Sequence, residues 1–269
     1  MNVDFDFDYV EYVNSNNLWS LLDLNKGEYG DVTKKIIPSD ANYSVDPNLL
    51  EPYPAEMDDL IRIHYLIRKF KIVTAVEIGA GKSTTVIADA LKKNKEDFGV
   101  FVSQELRKNN PFELHSVETS EFWSNKVMNS MPDRLKEICT MHITSCRMDE
   151  LNSRVCTTFD KFPNVCPDFI YLDGPDQYTP SGSVNGISTQ HPDRMPMVSD
   201  LIRIEPFLLP GTIILVDGRT ANARFMRNNF QSKWSYKHYE EFDVHVFLNI
   251  ETPLGRYNKK ELDFKKGNI

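Results

Sequence analysis

The chain has 269 residues, enough for one large domain or two small ones. Its hydrophobic fraction of 41% and charged fraction of 26% are those of an ordinary globular enzyme. A net charge of -8 argues against a protein that holds nucleic acid chiefly through its phosphates, which needs a basic face.

The N-terminus, MNVDFDFDYVEYV, is acidic and lacks the basic start of a secretory signal. No apolar run approaches the roughly 20 residues that span a bilayer, so a cytoplasmic chain with no membrane partner is expected. Residues 1–54 hold Asn and Asp clusters, with Pro38, Pro47, Pro52 and Pro54 breaking up the second half. They are read as an irregular N-terminal extension packed on the main domain.

From Ala55 the pattern becomes regular. AEMDDLIRIHYLIRKF places Met57, Leu60, Ile61, His64 and Ile67 on one helical face, which makes His64 a core residue. A strand is expected over 73–78, then a glycine turn, then a helix from Ser83 to about Asn94 with Ser83 and Thr84 as caps. Further strands are expected at 113–118, 138–144, 168–173 and 211–217, with an amphipathic helix through Phe122, Trp123 and Val127. His115 and His142 fall within strands and are read as packed. The loop 174–196 is rich in Gly, Ser, Pro and Asn, and loops of that length are often lids or substrate-binding segments. Two paired strands, 234–240 and 244–250, joined at Phe242-Asp243, close a domain over 55–250, and 251–269 are read as a tail.

Strands alternating with helices imply an α/β fold, a mostly parallel sheet with helices on both faces and a terminal antiparallel strand. Ligands of such sheets sit at the carboxyl ends of the strands, which gathers Gly79, Glu118, Asp173 and Asp217 around one crevice. Cys139, Cys146, Cys156 and Cys166 contain no CxxC pair and are read as free thiols rather than a zinc site.

The turn Glu77-Ile-Gly-Ala-Gly-Lys-Ser-Thr84 admits three readings. A phosphate loop needs G-x-x-x-x-G-K-[ST], but Val76 stands where the first glycine belongs, although Asp173 and Asp217 could imitate its magnesium-binding carboxylate. A dinucleotide turn needs G-x-G-x-x-G, but Thr84 replaces the third glycine; Glu105, after the apolar stretch from Phe98, would be its ribose-binding acid and competes with Glu118.

The third reading covers more of the chain. Glu77-Ile-Gly-Ala-Gly resembles motif I of class I S-adenosylmethionine-dependent methyltransferases, and His115-Ser-Val-Glu118 resembles motif II. Asp168-Phe-Ile-Tyr-Leu-Asp-Gly-Pro175 and the run Asp200 to Asp217 resemble the fourth strand, next helix and fifth strand of small-molecule O-methyltransferases. The resemblance spans about 70–250 and implies a Rossmann-like fold. It implies a cofactor site of Glu77, Gly79, Gly81, Ser83, Thr84, Glu118 and Asp173, with the Glu118 carboxylate accepting ribose hydroxyls. Lys82 then needs no phosphate role and is read as solvated.

The metal-dependent branch of that family holds Mg2+ on acids after strands four and five. Asp173 and Asp217 match two positions, while Gly218 stands at the third. Methyl transfer to a hydroxyl also needs a proton acceptor, for which Asp173 and His191 are the candidates. Arg219 and Asn222 are candidates for binding the acceptor; Arg219, like Arg194, could instead form a salt bridge, to Asp173 or Asp217. The expected function is O-methylation of a small molecule or sugar, with surface-polysaccharide or secondary-metabolite chemistry as its extension. A homo-oligomer is compatible with it. The alternatives are a phosphate-loop kinase or NTPase, or a methyltransferase-like module that binds without turnover.

Overall fold

The computed structural model describes residues 1–29 and 54–269; Pro38, Pro47 and Pro52 of the expected extension lie outside them. The N-terminal segment forms α1 (Tyr9–Ser15) and α2 (Leu18–Leu21). Asp8 starts α1 by accepting the Glu11 amide at 2.9 Å, a side-chain cap on an otherwise unpaired donor. After α3 (Met57–Lys69) come β1 (Thr74–Ile78), α4 (Lys82–Glu105), β2 (Glu113–Glu118), α5 (Glu121–Ser130), α6 (Asp133–Lys136) and β3 (Cys139–Ile143). Next come the hairpin β4 (Cys146–Leu151) and β5 (Arg154–Phe159), then β6 (Phe169–Leu172), α7 (Asp200–Ile204) and β7 (Ile213–Asp217). The chain ends with α8 (Thr220–Asn229), β8 (Trp234–Tyr239), β9 (Val244–Asn249) and α9 (Arg256–Lys265).

Seven strands form one sheet in the order β3-β2-β1-β6-β7-β9-β8. The first five are parallel; β9 pairs antiparallel with β7 and with β8. This is the Rossmann-like arrangement with an antiparallel finish expected from the sequence. Strand periodicity assigns the faces. Ala75, Leu114, Phe169, Tyr171, Ile213 and Leu215 join one core with α3, α4 and the N-terminal segment. Their neighbours Val76, Val117, Ile170, Leu172, Ile214 and Val216 join the other, with α7 and α8. Both faces are therefore buried, which is why β6 and β7 read as apolar runs.

The N-terminal segment is part of the first core: Val3, Phe5, Tyr9, Val13 and Leu18 are buried in it. Tyr12 Oη lies 2.7 Å from His64 Nδ1, and His64 Nε2 lies 3.2 Å from Asp89 Oδ2. Burial drives the His64 imidazole down to about 4, so it is neutral and acts as a hydrogen-bonded core residue, as expected.

Several elements differ from expectation. α4 continues to Glu105, so the apolar stretch from Phe98 is helix rather than the approach to a strand; Glu105 pairs with Lys260 on α9. The β4–β5 hairpin went unanticipated because its two-residue turn is Asn152-Ser153, both at positive φ, a weaker sequence signal than Asn-Gly. Residues 251–269 carry α9, whose Leu262 and Phe264 are buried. The loop 174–196 is laid on the hairpin: Ser181 accepts the Met148 amide at 2.8 Å and donates to the Cys146 carbonyl at 3.0 Å. All four cysteines are unpaired, three of them buried.

Candidate active site

The glycine turn leaves β1 at Ile78 and enters α4 at Lys82. Its consecutive amides are all engaged within the protein. Gly79 N–H donates to the Val117 carbonyl at 2.9 Å, Ala80 N–H to Glu118 Oε2 at 2.9 Å, and Gly81 N–H to Thr84 Oγ1 at 3.0 Å. A phosphate cradle needs such amides free and no carboxylate beside them. This turn has neither property, so the GKS letters do not make a phosphate loop here.

The two glycines serve different ends. Gly79 has φ +96°, and a Cβ there would lie 2.9 Å from the Gly174 amide nitrogen. A Cβ on Gly174 would in turn lie 2.8 Å from Gly79 Cα, so the ends of β1 and β6 touch backbone to backbone. Gly81 is extended, and a Cβ on it would meet nothing nearer than Ser83 Oγ at 3.7 Å. The space before Gly81 is open, as close approach of a cofactor requires.

Beneath the turn lies Glu77, fully buried, accepting from Ser83 Oγ, Thr84 Oγ1 and Ser116 Oγ, each at 2.6 Å. Burial pushes its carboxyl up to about 7 against the opposing effect of those hydroxyls. Glu77, Ser83 and Thr84 are thus spent on one another and fix the start of α4. Glu118, at the end of β2, is half-buried. Its Oε1 accepts the Thr119 and Ser120 amides at 2.7 and 2.8 Å, while Oε2 has only the Ala80 amide among the described residues. Carboxylate oxygens have two lone-pair sites each, which leaves Oε2 room for a ligand hydroxyl.

At the ends of β6 and β7 the acids gather. Tyr171 Oη donates to Asp217 Oδ2 at 2.8 Å. Arg219 Nε donates to Asp173 Oδ1 at 3.2 Å, Nη2 to the Asp173 carbonyl at 2.6 Å and Nη1 to the Pro175 carbonyl at 2.8 Å. The Asp173 side chain is 50% exposed, yet the protein around it raises its carboxyl above the ordinary range, with Arg219 acting the other way. Asp217 is pushed up to about 7 by burial and then by the Asp173 charge. Asp59, from the start of α3, is raised too, by burial and then by Asp217. Its partner Arg62 is buried, bonded to Asp58 at 2.6 Å and to Asp59, with its guanidinium 4.6 Å from the Phe242 ring.

Residues 76–218, over half of the chain, match the model of a methyltransferase domain. The chain belongs to this methyltransferase family. Among solved structures, the methyltransferase is similar to the O-methyltransferase TomG of Streptomyces achromogenes, involved in tomaymycin synthesis and solved with S-adenosylmethionine (10% identity, 93% of each chain covered, TM-score 0.41). It is also similar to a Bacillus cereus O-methyltransferase solved with S-adenosylhomocysteine (11% identity, 93% of each chain, TM-score 0.40). A third is Podospora anserina methyltransferase PaMTH1, bound to S-adenosylhomocysteine (13% identity, 73% of this chain and 80% of that one, TM-score 0.41). No curated protein matches the chain.

The methyltransferase fold therefore brings Gly79, Gly81, Glu118, Asp173, Asp217 and Arg219 to one end of the sheet, by the contacts given above. Other sequence candidates lie apart from them. His191 Nδ1 accepts the Asp193 amide at 3.1 Å, and its contacts stay within its own exposed loop. Arg194 is held by the Ser188 carbonyl at 2.8 Å. Asn222 is buried, with Oδ1 accepting the Val198 amide at 3.0 Å, so it fastens the far end of the loop rather than lining open space. Asp59 and Arg62 were missed because Asp and Arg three or four apart on a helix ordinarily form a solvated pair. Phe5 and Phe242 cover them here, and neither ring is near α3 in sequence.

The donor set fits magnesium poorly. Gly218 supplies no ligand, Arg219 occupies Asp173 and Tyr171 occupies Asp217. Neither acid belongs to a group of three metal-binding side chains within 4.8 Å among the described residues. Among those residues no helix is long and apolar enough to cross a membrane.

Proposed function

We propose that the protein transfers the methyl group of S-adenosylmethionine to a hydroxyl oxygen of a small molecule or sugar. The observation that carries this is the junction of Glu118 with the glycine turn. One carboxylate oxygen is bonded to the Ala80 amide, beside the open space at Gly81. This suits a neutral ribose, whose hydroxyls donate to a carboxylate, and repels a phosphate.

When bound, the cofactor supplies a methyl group activated by its sulfonium. The chain's own residues would do the rest. Gly79 and Gly174 let β1 and β6 close on each other. Glu77 fixes the first turn of α4 through three hydroxyls, and Glu118 holds the ribose. Arg219 orients Asp173 toward the acceptor. Asp217, with its carboxyl near 7, is matched to receive the acceptor's proton at neutral pH, with Tyr171 holding its other oxygen. We prefer it to His191, which contacts none of these residues. No step is derived through magnesium.

The test is transfer of label from S-adenosyl-[methyl-3H]methionine to a panel of phenols, catechols and monosaccharides. Label on an acceptor oxygen supports the reading. Label on nitrogen or carbon acceptors only would overturn the choice of oxygen. Cofactor binding with no transfer to any acceptor would favour the non-catalytic module.

A further inference from the structure

The terminal hairpin carries a second cluster outside this chemistry. His238 on β8 and His245 on β9 are direct cross-strand partners, their rings stacked with centroids 3.9 Å apart at 17°. Asp243, in the turn between the strands at positive φ, completes the group, and one ligand atom from each residue lies within 4.8 Å of the others. His238 Nε2 is shielded from solvent and has no hydrogen-bond partner among the described residues, with Asp243 Oδ1 3.9 Å away. That gap is too long for a hydrogen bond. It is within a short movement of the roughly 3.4 Å between two ligands of one tetrahedral zinc ion.

We infer that His238, Asp243 and His245 form a site for a zinc-class divalent ion. Two imidazoles and a carboxylate favour zinc or cobalt over magnesium, which takes oxygen ligands. Tetrahedral zinc holds its ligand atoms about 3.4 Å apart, so the three side chains must draw together and the stacked rings must turn before both can face one ion. Asp243, whose side chain is 66% exposed, swings in, and the His238 ring, 28% exposed, turns out of its stack on His245. His245 lies between Tyr236 Oη at 2.9 Å from Nδ1 and Thr220 Oγ1 at 3.0 Å from Nε2. Whichever nitrogen turns to the ion, the other keeps a hydroxyl that orients the ring, the usual supporting arrangement for a metal-bound histidine. The nearby Arg224 charge opposes a cation, and the Asp243 carboxylate offsets it.

The site borders the candidate active site. Gly218 N–H donates to the Asp243 carbonyl at 2.8 Å, and Thr220 opens α8. An ion there would fasten the hairpin to the segment that carries Asp217 and Arg219, whether or not methyl transfer is the activity.

The test uses tag-free, chelator-treated full-length protein, titrated with Zn2+ by calorimetry and with Co2+ by visible absorption. One equivalent of each metal is expected, with a rise in melting temperature. Asp243→Asn and His238→Gln should each weaken binding by roughly tenfold or more, while Glu118→Ala leaves it unchanged. No saturable binding, or binding that neither hairpin substitution weakens, would overturn the assignment. Circular dichroism of each variant separates loss of the site from loss of the fold.

Discussion

Arg219 holds Asp173 at two points, its side-chain Oδ1 and its backbone carbonyl, and reaches the next turn through Pro175. The Arg219 side chain, 12% exposed, thereby joins the end of β6 to the start of α8. A lysine would keep the charge but could not span three acceptors with one planar fork. Arg219→Lys should lower kcat/KM by about 10- to 100-fold, as expected when charge-assisted hydrogen bonds of ~1.5–3 kcal/mol are lost. Steady-state kinetics beside thermal melting checks this; a loss of folding equal to the loss of activity would argue for a merely structural arginine.

Asp217 should set the pH dependence of turnover. Its carboxyl, pushed up to about 7, accepts a proton only once ionised, so kcat/KM should rise with pH and level off above that value. Asp217→Asn should remove this limb and lower the rate by about 10²- to 10⁴-fold. A pH profile unchanged in that variant would remove Asp217 from the chemistry, and the same profile for His191→Ala tests the competing base.

Glu77 bears on stability. Its folded carboxyl titrates near 7 and an ordinary one near 4.5, so between those values the folded state keeps a proton that the unfolded state has released. The stability this contributes is complete below 4.5 and is lost as pH rises through 7. Asp217, raised in the same way, adds to the decline. Glu77→Gln should flatten part of the fall in melting temperature across that window. Glu77→Ala strands three buried hydroxyl partners and should cost about 3 kcal/mol or more at any pH. Denaturant melts at several pH values measure both.

The glycines should separate by substitution. Gly79→Ala puts a methyl group against the Gly174 backbone at positive φ and should destabilise the fold by at least ~1–3 kcal/mol. Gly81→Ala meets no such contact, so its melting temperature should stay near that of the parent while cofactor binding weakens. Equal destabilisation of both variants would remove the argument for open space at Gly81.

The strands and the residues at their ends were legible because β1, β2, β6 and β7 each present a strand-like stretch ending in Gly79, Glu118, Asp173 or Asp217. Local pattern suffices for those. It failed where tertiary cover decided the outcome. Phe98 to Glu105 read as an apolar stretch leading to a competing ribose-binding acid, yet its aromatic residues pack as helix against Phe264 of α9, far along the chain. Asp59 and Arg62 drew no reading from the sequence, because the rings that cover the Arg62 guanidinium come from the N-terminal segment and the terminal hairpin. Lys82, conspicuous in the motif, is exposed, as expected. The division of labour between Gly79 and Gly81 could not be read from letters, since it depends on which backbone faces each one.

The central claim is that Glu118 and the glycine turn hold S-adenosylmethionine. Calorimetric titration with S-adenosylhomocysteine tests it most directly, in the parent, in Glu118→Ala and in Glu105→Ala, with Mg-ATP as the competing ligand. Saturable binding of S-adenosylhomocysteine is expected, abolished or strongly weakened in Glu118→Ala and unchanged in Glu105→Ala, with no binding of Mg-ATP. Tight binding of Mg-ATP and none of S-adenosylhomocysteine would contradict the claim.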